Sequence, residues 1–161
     1  MSHPANPRKE EQPRFTCILV VEDDADVAEV IAQAILEETP YMPLLATDGV
    51  AALKMVRSIK PDLLLLDYLL PGMDGIELYD RLHAEQELQD ISAVFISANA
   101  PKAELEKRRV YYITDLSEFT EFLQKLRVNA PTGEREKQRV YCIKKPFELD
   151  DLLQALKELL G

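Results

Sequence analysis

Five short apolar runs punctuate this chain, and stretches with helical spacing separate them. Cys17–Val21 is apolar at every position instead of alternating, the pattern of a strand buried on both faces. A helix is expected next, because Val27, Val30, Ile31, Ala34 and Ile35 share one face and Asp24 and Asp26 stand at the positive end of its dipole. Pro40 and Pro43 bracket a turn. A weaker run at Leu44–Ala46 leads through Asp48-Gly49 into a helix carrying Leu53 and Val56, which Pro61 stops. Leu63–Leu66 forms the third run and ends in Asp67; a loop with Pro71-Gly72 and Asp74-Gly75 follows, then a helix with Ile76, Tyr79 and Leu82. The fourth run, Ala93–Ile96, ends at Ser97. The last, Val140–Ile143, ends at Lys144-Lys145-Pro146, and Leu149, Leu152, Leu153, Leu156 and Leu160 mark a closing amphipathic helix. Strands alternating with helices imply an α/β fold, a parallel sheet covered by helices on both faces.

With 161 residues the chain suits one domain, and the closing helix uses up its length, so a single-domain, free-standing protein is expected. A composition of 47% hydrophobic and 30% charged residues excludes a disordered tail, and no apolar run is long enough to enter a membrane. Residues 1–14 mix Pro4, Pro7 and Pro13 with charges and have no apolar stretch. They read as a flexible tail and not a signal peptide, and a cytoplasmic location is expected. Cys17 and Cys142 lie in apolar runs and have no metal-ligand spacing to each other or to His3 and His83, so buried, reduced thiols are expected. The net charge of -10 disfavours direct nucleic-acid binding and favours basic partner surfaces or divalent cations.

In open α/β sheets, ligands bind beyond the carboxyl ends of the strands. The polar residues of this chain collect there: Glu22, Asp23 and Asp24 after the first run, then Asp67, Ser97 and Lys145. Singly, each has a plain explanation, since acidic residues cap helices and aspartate before a Pro-Gly loop serves a turn. Together they would have to reach one edge by accident. Two carboxylates about 4 Å apart repel by roughly 4 kcal/mol at an effective dielectric near 20, so Asp23 beside Asp67 requires a cation or a proton. Mg²⁺ suits such a site, because it takes oxygen ligands, keeps several waters and bridges carboxylates to phosphoryl groups. Asp67 then becomes a nucleophile for phosphoryl transfer, with Lys145 and the metal neutralising the transferring oxygens.

The segments Ile18-Leu19-Val20-Val21-Glu22-Asp23-Asp24, Asp62 to Asp67, Leu70-Pro71-Gly72-Met73-Asp74-Gly75, Phe95-Ile96-Ser97-Ala98 and Lys145-Pro146-Phe147, in this order, resemble the CheY-like receiver domains of two-component response regulators. The resemblance covers Thr16 to Gly161 apart from one insertion. It implies a doubly wound, flavodoxin-like sheet of five parallel strands in the order 2-1-3-4-5, with helices on both faces. By position it implies that Asp67 is the phosphoacceptor, Asp23 the direct metal ligand, Glu22 a holder of metal-bound water and the Leu69 carbonyl a further ligand. Ser97, where the family more often has threonine, and Lys145 would contact the phosphoryl group. The Lys145-Pro146 bond is often cis in similar domains. The implied partners are a histidine kinase or phosphotransfer protein and a downstream protein target.

Two departures stand out. The aromatic switch position of the family, three places before the Lys-Pro lysine, holds Cys142, with Tyr141 beside it. The stretch between Ser97 and Lys145 is roughly twice its usual length, and residues 107–136 read as an inserted helical or strand-helix unit. Arg109-Val110-Tyr111-Tyr112-Ile113 matches Arg139-Val140-Tyr141-Cys142-Ile143, and the match continues through Glu118 with Glu148, Leu123 with Leu153, Gln124 with Gln154 and Leu126 with Leu156, as in a local duplication. Leu116, Phe119, Phe122, Leu123 and Leu126 keep helical periodicity, so this unit is expected to be a packed amphipathic helix. Only the second copy carries Lys145-Pro146 and is expected to supply the strand at the functional edge. Two other readings are less well matched: a phosphorylation-independent interaction module, against which the full set of Asp23, Asp67, Ser97 and Lys145 argues, and an aspartyl phosphohydrolase, for which Leu69 stands where a second aspartate is required.

Overall fold

The computed structural model describes residues 15–99, 101–129 and 140–161. The expected tail, residues 1–14, and the end of the expected insertion lie outside the described residues. In chain order the elements are β1 (Cys17–Val21), α1 (Ala25–Glu38), β2 (Met42–Ala46), α2 (Gly49–Ile59), β3 (Leu63–Asp67), α3 (Gly75–His83) and β4 (Ser92–Ser97). Then follow α4 (Lys102–Lys107), β5 (Tyr111–Ile113), α5 (Leu116–Asn129), β6 (Val140–Lys144) and α6 (Leu149–Leu160). All strand pairings are parallel, and the sheet order is β2-β1-β3-β4-β6-β5. The doubly wound α/β fold is as expected, with six strands in place of five. The sixth is β5, whose three residues extend the sheet by pairing with β6.

Each central strand is buried on both faces, which is why its sequence is apolar without alternation. Leu19, Val21, Leu64, Leu66, Ala93, Phe95, Val140 and Cys142 face the layer of α2, α3 and α4. Ile18, Val20, Leu63, Leu65, Val94, Ile96, Tyr141 and Ile143 face α1, α5 and α6. Helix starts are set by side-chain caps: Asp24 accepts from the Asp26 and Val27 amides, Asp48 from Ala51, Asp74 from Glu77 and Asp115 from Glu118.

The inserted unit follows the handedness of parallel crossovers. From β4 the chain passes through α4 to the outer edge at β5, then returns through α5 on the opposite face to β6, which lies between β4 and β5. Reversing direction along the sheet while keeping a right-handed crossover requires that change of face. Leu116, Phe119 and Leu123 bring α5 onto the sheet, and the Phe119 ring lies 4.7 Å from that of Tyr141. The unit is therefore part of the core, as its helical periodicity implied.

Phe119 is 4% exposed, so its truncation leaves a cavity over Tyr141 that the surrounding sheet cannot close. Phe119→Ala is expected to lower unfolding stability by about 3 to 5 kcal/mol. Denaturant melts check this; a loss under about 1 kcal/mol would mean that α5 contributes little to the core.

Candidate functional site

The register of the sheet brings the sequence-marked residues to one edge. Val21 pairs with Leu66, Asp67 with Ile96 and Ser97 with Lys144, so the chain ends following β1, β3, β4 and β6 lie side by side. The loop after β3 is shaped by two glycines. Gly72 has φ of 74°, the left-handed region, and a Cβ on Gly75 would meet the Phe95 ring at 2.8 Å. The Gly75 amide closes this loop by donating to the Tyr68 carbonyl at 2.8 Å.

Asp67 is the centre of the arrangement. Its side chain is 16% exposed; Oδ1 accepts from the Leu69 amide at 3.0 Å and Oδ2 from Lys145 Nζ at 3.3 Å. Lys145 is in turn anchored by its own amide, which donates to the Ser97 carbonyl at 2.9 Å. The Lys145-Pro146 bond is cis, as the resemblance implied. Ser97 is buried, and its hydroxyl oxygen accepts from the Asn99 amide at 3.2 Å. Accepting that bond leaves the hydroxyl its own donor.

Glu22 is buried beside Asp67, with Oε1 accepting from the Asp24 amide at 3.2 Å. Its pKa is pushed up to about 7, first by burial and then by the Asp67 carboxyl and the Asp67 and Asp23 charges, against the opposing pull of the Asp24 amide. The site thus holds more carboxylate than it can ionise alone. Among the described residues no three His, Cys, Asp or Glu side chains are preassembled as a metal cage. An ion that keeps its waters and takes one or two carboxylates with a phosphate does not need one. The crowded oxygen donors of Glu22, Asp23 and Asp67 fit Mg²⁺ in that manner.

Other expected features fall as follows. Among the described residues neither cysteine forms a disulfide; Cys142 is buried, its thiol pushed up to about 12 by burial, whereas Cys17 is only half-buried. The strand's alternation separates the two residues at the expected switch position. Cys142 faces the α4 layer, while Tyr141 points to the opposite face against Phe119 and Tyr111. On the Cys142 face aromatic rings stand on both neighbouring strands, Phe95 on β4 and Tyr112 on β5, each paired with Cys142 in register. Lys102 Nζ lies 4.7 Å from the Tyr112 ring centroid.

Sequence reasoning missed the clamp that holds α4. Arg108 donates two bonds to Asp80 of α3, at 2.8 and 2.7 Å, and two to Glu104, to its carbonyl at 2.9 Å and its carboxylate at 3.1 Å. This bidentate pairing also holds the Asp80 carboxyl below its ordinary range. Asp80 and Arg108 are 28 positions apart and lie on different elements, so no spacing rule marks them.

The response regulator receiver domain family matches residues 18–129, more than half of the chain. The chain belongs to that family. Its members are signalling domains of two-component systems, not classical enzymes, and bind Mg²⁺ for phosphorylation. The phosphate regulon transcriptional regulatory protein PhoB of Escherichia coli is 38% identical over 81 residues, covering 50% of this chain and 35% of that protein. The chain thus spans about a third of the length of the curated relatives it matches. The solved receiver domain of a signal transduction histidine kinase from Syntrophus aciditrophicus has a TM-score of 0.64 at 25% identity, over 90% of this chain and 89% of that one. Response regulator TrrA of Thermotoga maritima, solved in complex with Mg²⁺-BeF, shares the fold with a TM-score of 0.60 at 22% identity, over 90% of this chain and 99% of that one. No helix among the described residues is long and apolar enough to cross a membrane. The family match ends in α5, before β6, yet β6 is the strand that abuts β4 and carries Lys145 to Asp67.

The Glu22 carboxyl has an ordinary value near 4.5 and a folded value of about 7, so its protonated form favours the fold. That contribution is complete below 4.5 and is lost as pH rises through 7. In chelator, wild-type stability is therefore expected to fall over this window more steeply than that of Glu22→Gln. Thermal melts across the range check it, and equal slopes would remove Glu22 from the crowded cluster.

Proposed function

We propose that this receiver domain accepts a phosphoryl group on Asp67 from a histidine kinase or phosphotransfer protein, in a Mg²⁺-dependent reaction, and thereby switches its affinity for a downstream protein. The observation that carries this reading is Asp67 held between a cationic partner, Lys145, and a cluster of excess carboxylate. In this reading residues 15–161 form the receiver unit and 107–136 its added segment.

One Asp67 oxygen attacks phosphorus and the bond to the donor's leaving atom breaks. Lys145, already within reach of Asp67 Oδ2, turns its ammonium to the transferred oxygens. Ser97 donates its hydroxyl hydrogen to another of them. Asp23, Asp67 and the Leu69 carbonyl would hold Mg²⁺, with Glu22 retaining a metal-bound water. Bound there, the ion supplies charge neutralisation and alignment of donor and acceptor oxygens. Self-hydrolysis of the acyl phosphate by water releases inorganic phosphate and returns the Asp67 carboxylate. No direct nucleic-acid contact is proposed, because the net charge of -10 opposes it.

Incubation with Mg²⁺ and a small phosphodonor is expected to add one phosphoryl group by intact-mass analysis, and none in Asp67→Asn. Stoichiometric labelling of that variant would overturn the assignment. Asp23→Ala is expected to weaken Mg²⁺ binding by at least about tenfold and to slow phosphorylation with it. Unchanged Mg²⁺ affinity by titration would move the metal elsewhere.

A further inference from the structure

Gly49 is the first residue of α2 and is buried, and its lack of a side chain has no conformational cause. Among the described glycines only Gly72 has a positive φ, so the backbone at Gly49 would accept alanine, which a helix prefers. The cause is space. A Cβ on Gly49 would meet Met73 at 2.8 Å from Sδ, 3.2 Å from Cβ and 3.3 Å from Cγ. Met73 is buried in the core cluster with Ala46, Leu53, Leu70 and Ile76, so its thioether cannot swing aside without leaving the core, and its Cβ moves only with the backbone. The contact lies between two loops of the functional edge. Strands β1 and β3 pair only as far as Val21 and Leu66, and the oxygens beyond them depend on loops. Met73 follows Leu69 in the loop that Gly72 bends and that the Gly75 amide closes on the Tyr68 carbonyl. On the other side, the Ala46 carbonyl accepts from the Glu22 amide at 3.0 Å, and the short turn capped by Asp48 leads from Ala46 to Gly49.

We infer that Met73, seated on the bare backbone of Gly49, is a positioning residue that fixes the loop carrying Leu69 against the turn that holds Glu22. This rests on the Mg²⁺ reading proposed above, in which Glu22 and Asp23 come from one loop and the Leu69 carbonyl from another. Mg²⁺ demands near-ideal octahedral geometry at short range, so its affinity is sensitive to the distance between those loops. The seat itself supplies no oxygen to the ion. Added volume at Gly49 pushes the Leu69 loop away, and loss of the Met73 thioether lets that loop drift; either change misplaces the carbonyl. Asp67, Ser97 and Lys145 are held by strand pairing and by their own bonds, and they keep their places once the ion is bound.

Gly49→Ala is expected to weaken Mg²⁺ binding by about tenfold in titrations of the full chain. Met73→Ala, which loosens the seat instead of crowding it, is expected to do the same and carries the test if the added bulk prevents folding. With both substitutions together the new methyl group at position 49 enters the space that the thioether leaves, and affinity is expected to return to within about threefold of wild type. Phosphorylation at saturating Mg²⁺ is expected to stay within about twofold of wild type in all three. The metal-free protein gives a separate readout. In chelator the Gly75 amide, which closes the same loop, is expected to exchange about tenfold faster in each single variant and at the wild-type rate in the double variant. Phe119→Ala, in the opposite layer of the core, controls for a mere loss of stability, and its Mg²⁺ affinity is expected to be unchanged. Wild-type protein that binds no Mg²⁺ would overturn the metal reading and this inference together. Where the wild type binds, the inference alone would be overturned by single variants equal to it in affinity or in Gly75 exchange, by a double variant no better than its members, by a rate that saturating Mg²⁺ does not recover, or by an equal loss of affinity in Phe119→Ala.

Discussion

Burial of the Glu22 carboxyl beside Asp67 is the constraint around which the working end of the molecule is arranged, because a sheet buried on both faces ends there in a carboxyl withdrawn from water next to a second one. Glu22 answers it by holding a proton up to about pH 7, and Asp67 by accepting from the Leu69 amide and the Lys145 ammonium. Neither response removes the excess negative charge. What remains is a preorganised demand for a cation or for a group whose transfer brings one, and the backbone that meets this demand is rigid. Gly75 against Phe95, the Tyr68 carbonyl bond and the Ser97 carbonyl bond to Lys145 hold the surrounding loops.

That dependence explains why the position of β6 matters more than its sequence. Lys145 reaches Asp67 only if its strand lies next to β4, two places from β3. Two strands of nearly the same sequence, β5 and β6, are available for that place. The strand seated there is buried at Val140, Tyr141, Cys142 and Ile143, whereas the other is exposed at Tyr111 and half-buried at Tyr112 and Ile113. Tyrosine suits the outer position, since its ring packs while its hydroxyl stays wet. The extra strand β5 therefore lies outside β6 and leaves β1, β3, β4 and β6 side by side.

The added unit also changes what lies beside α4. The Arg108 clamp ties that short helix to α3, and Leu105 and Val110 anchor its ends in the core. Cys142 places a small thiol on this face, and Tyr112 supplies the aromatic surface one strand further out, beneath Lys102. The place where the receiver resemblance implies an aromatic ring is thus filled by the small thiol of Cys142.

Much was legible in the sequence. The run Cys17–Val21 coincides with β1, and the runs ending in Asp67, Ser97 and Lys144 coincide with β3, β4 and β6 to within a residue or two. A doubly buried strand admits only apolar residues, so both its existence and its polar terminus are written locally, and Glu22, Asp67, Ser97 and Lys145 could be named from that terminus. The six-stranded order, the inner seat of β6 and the Arg108–Asp80 clamp were decided by tertiary structure. Side-chain pattern specifies which faces of a strand are covered, but backbone hydrogen bonds choose its neighbour, and every parallel strand offers the same ones.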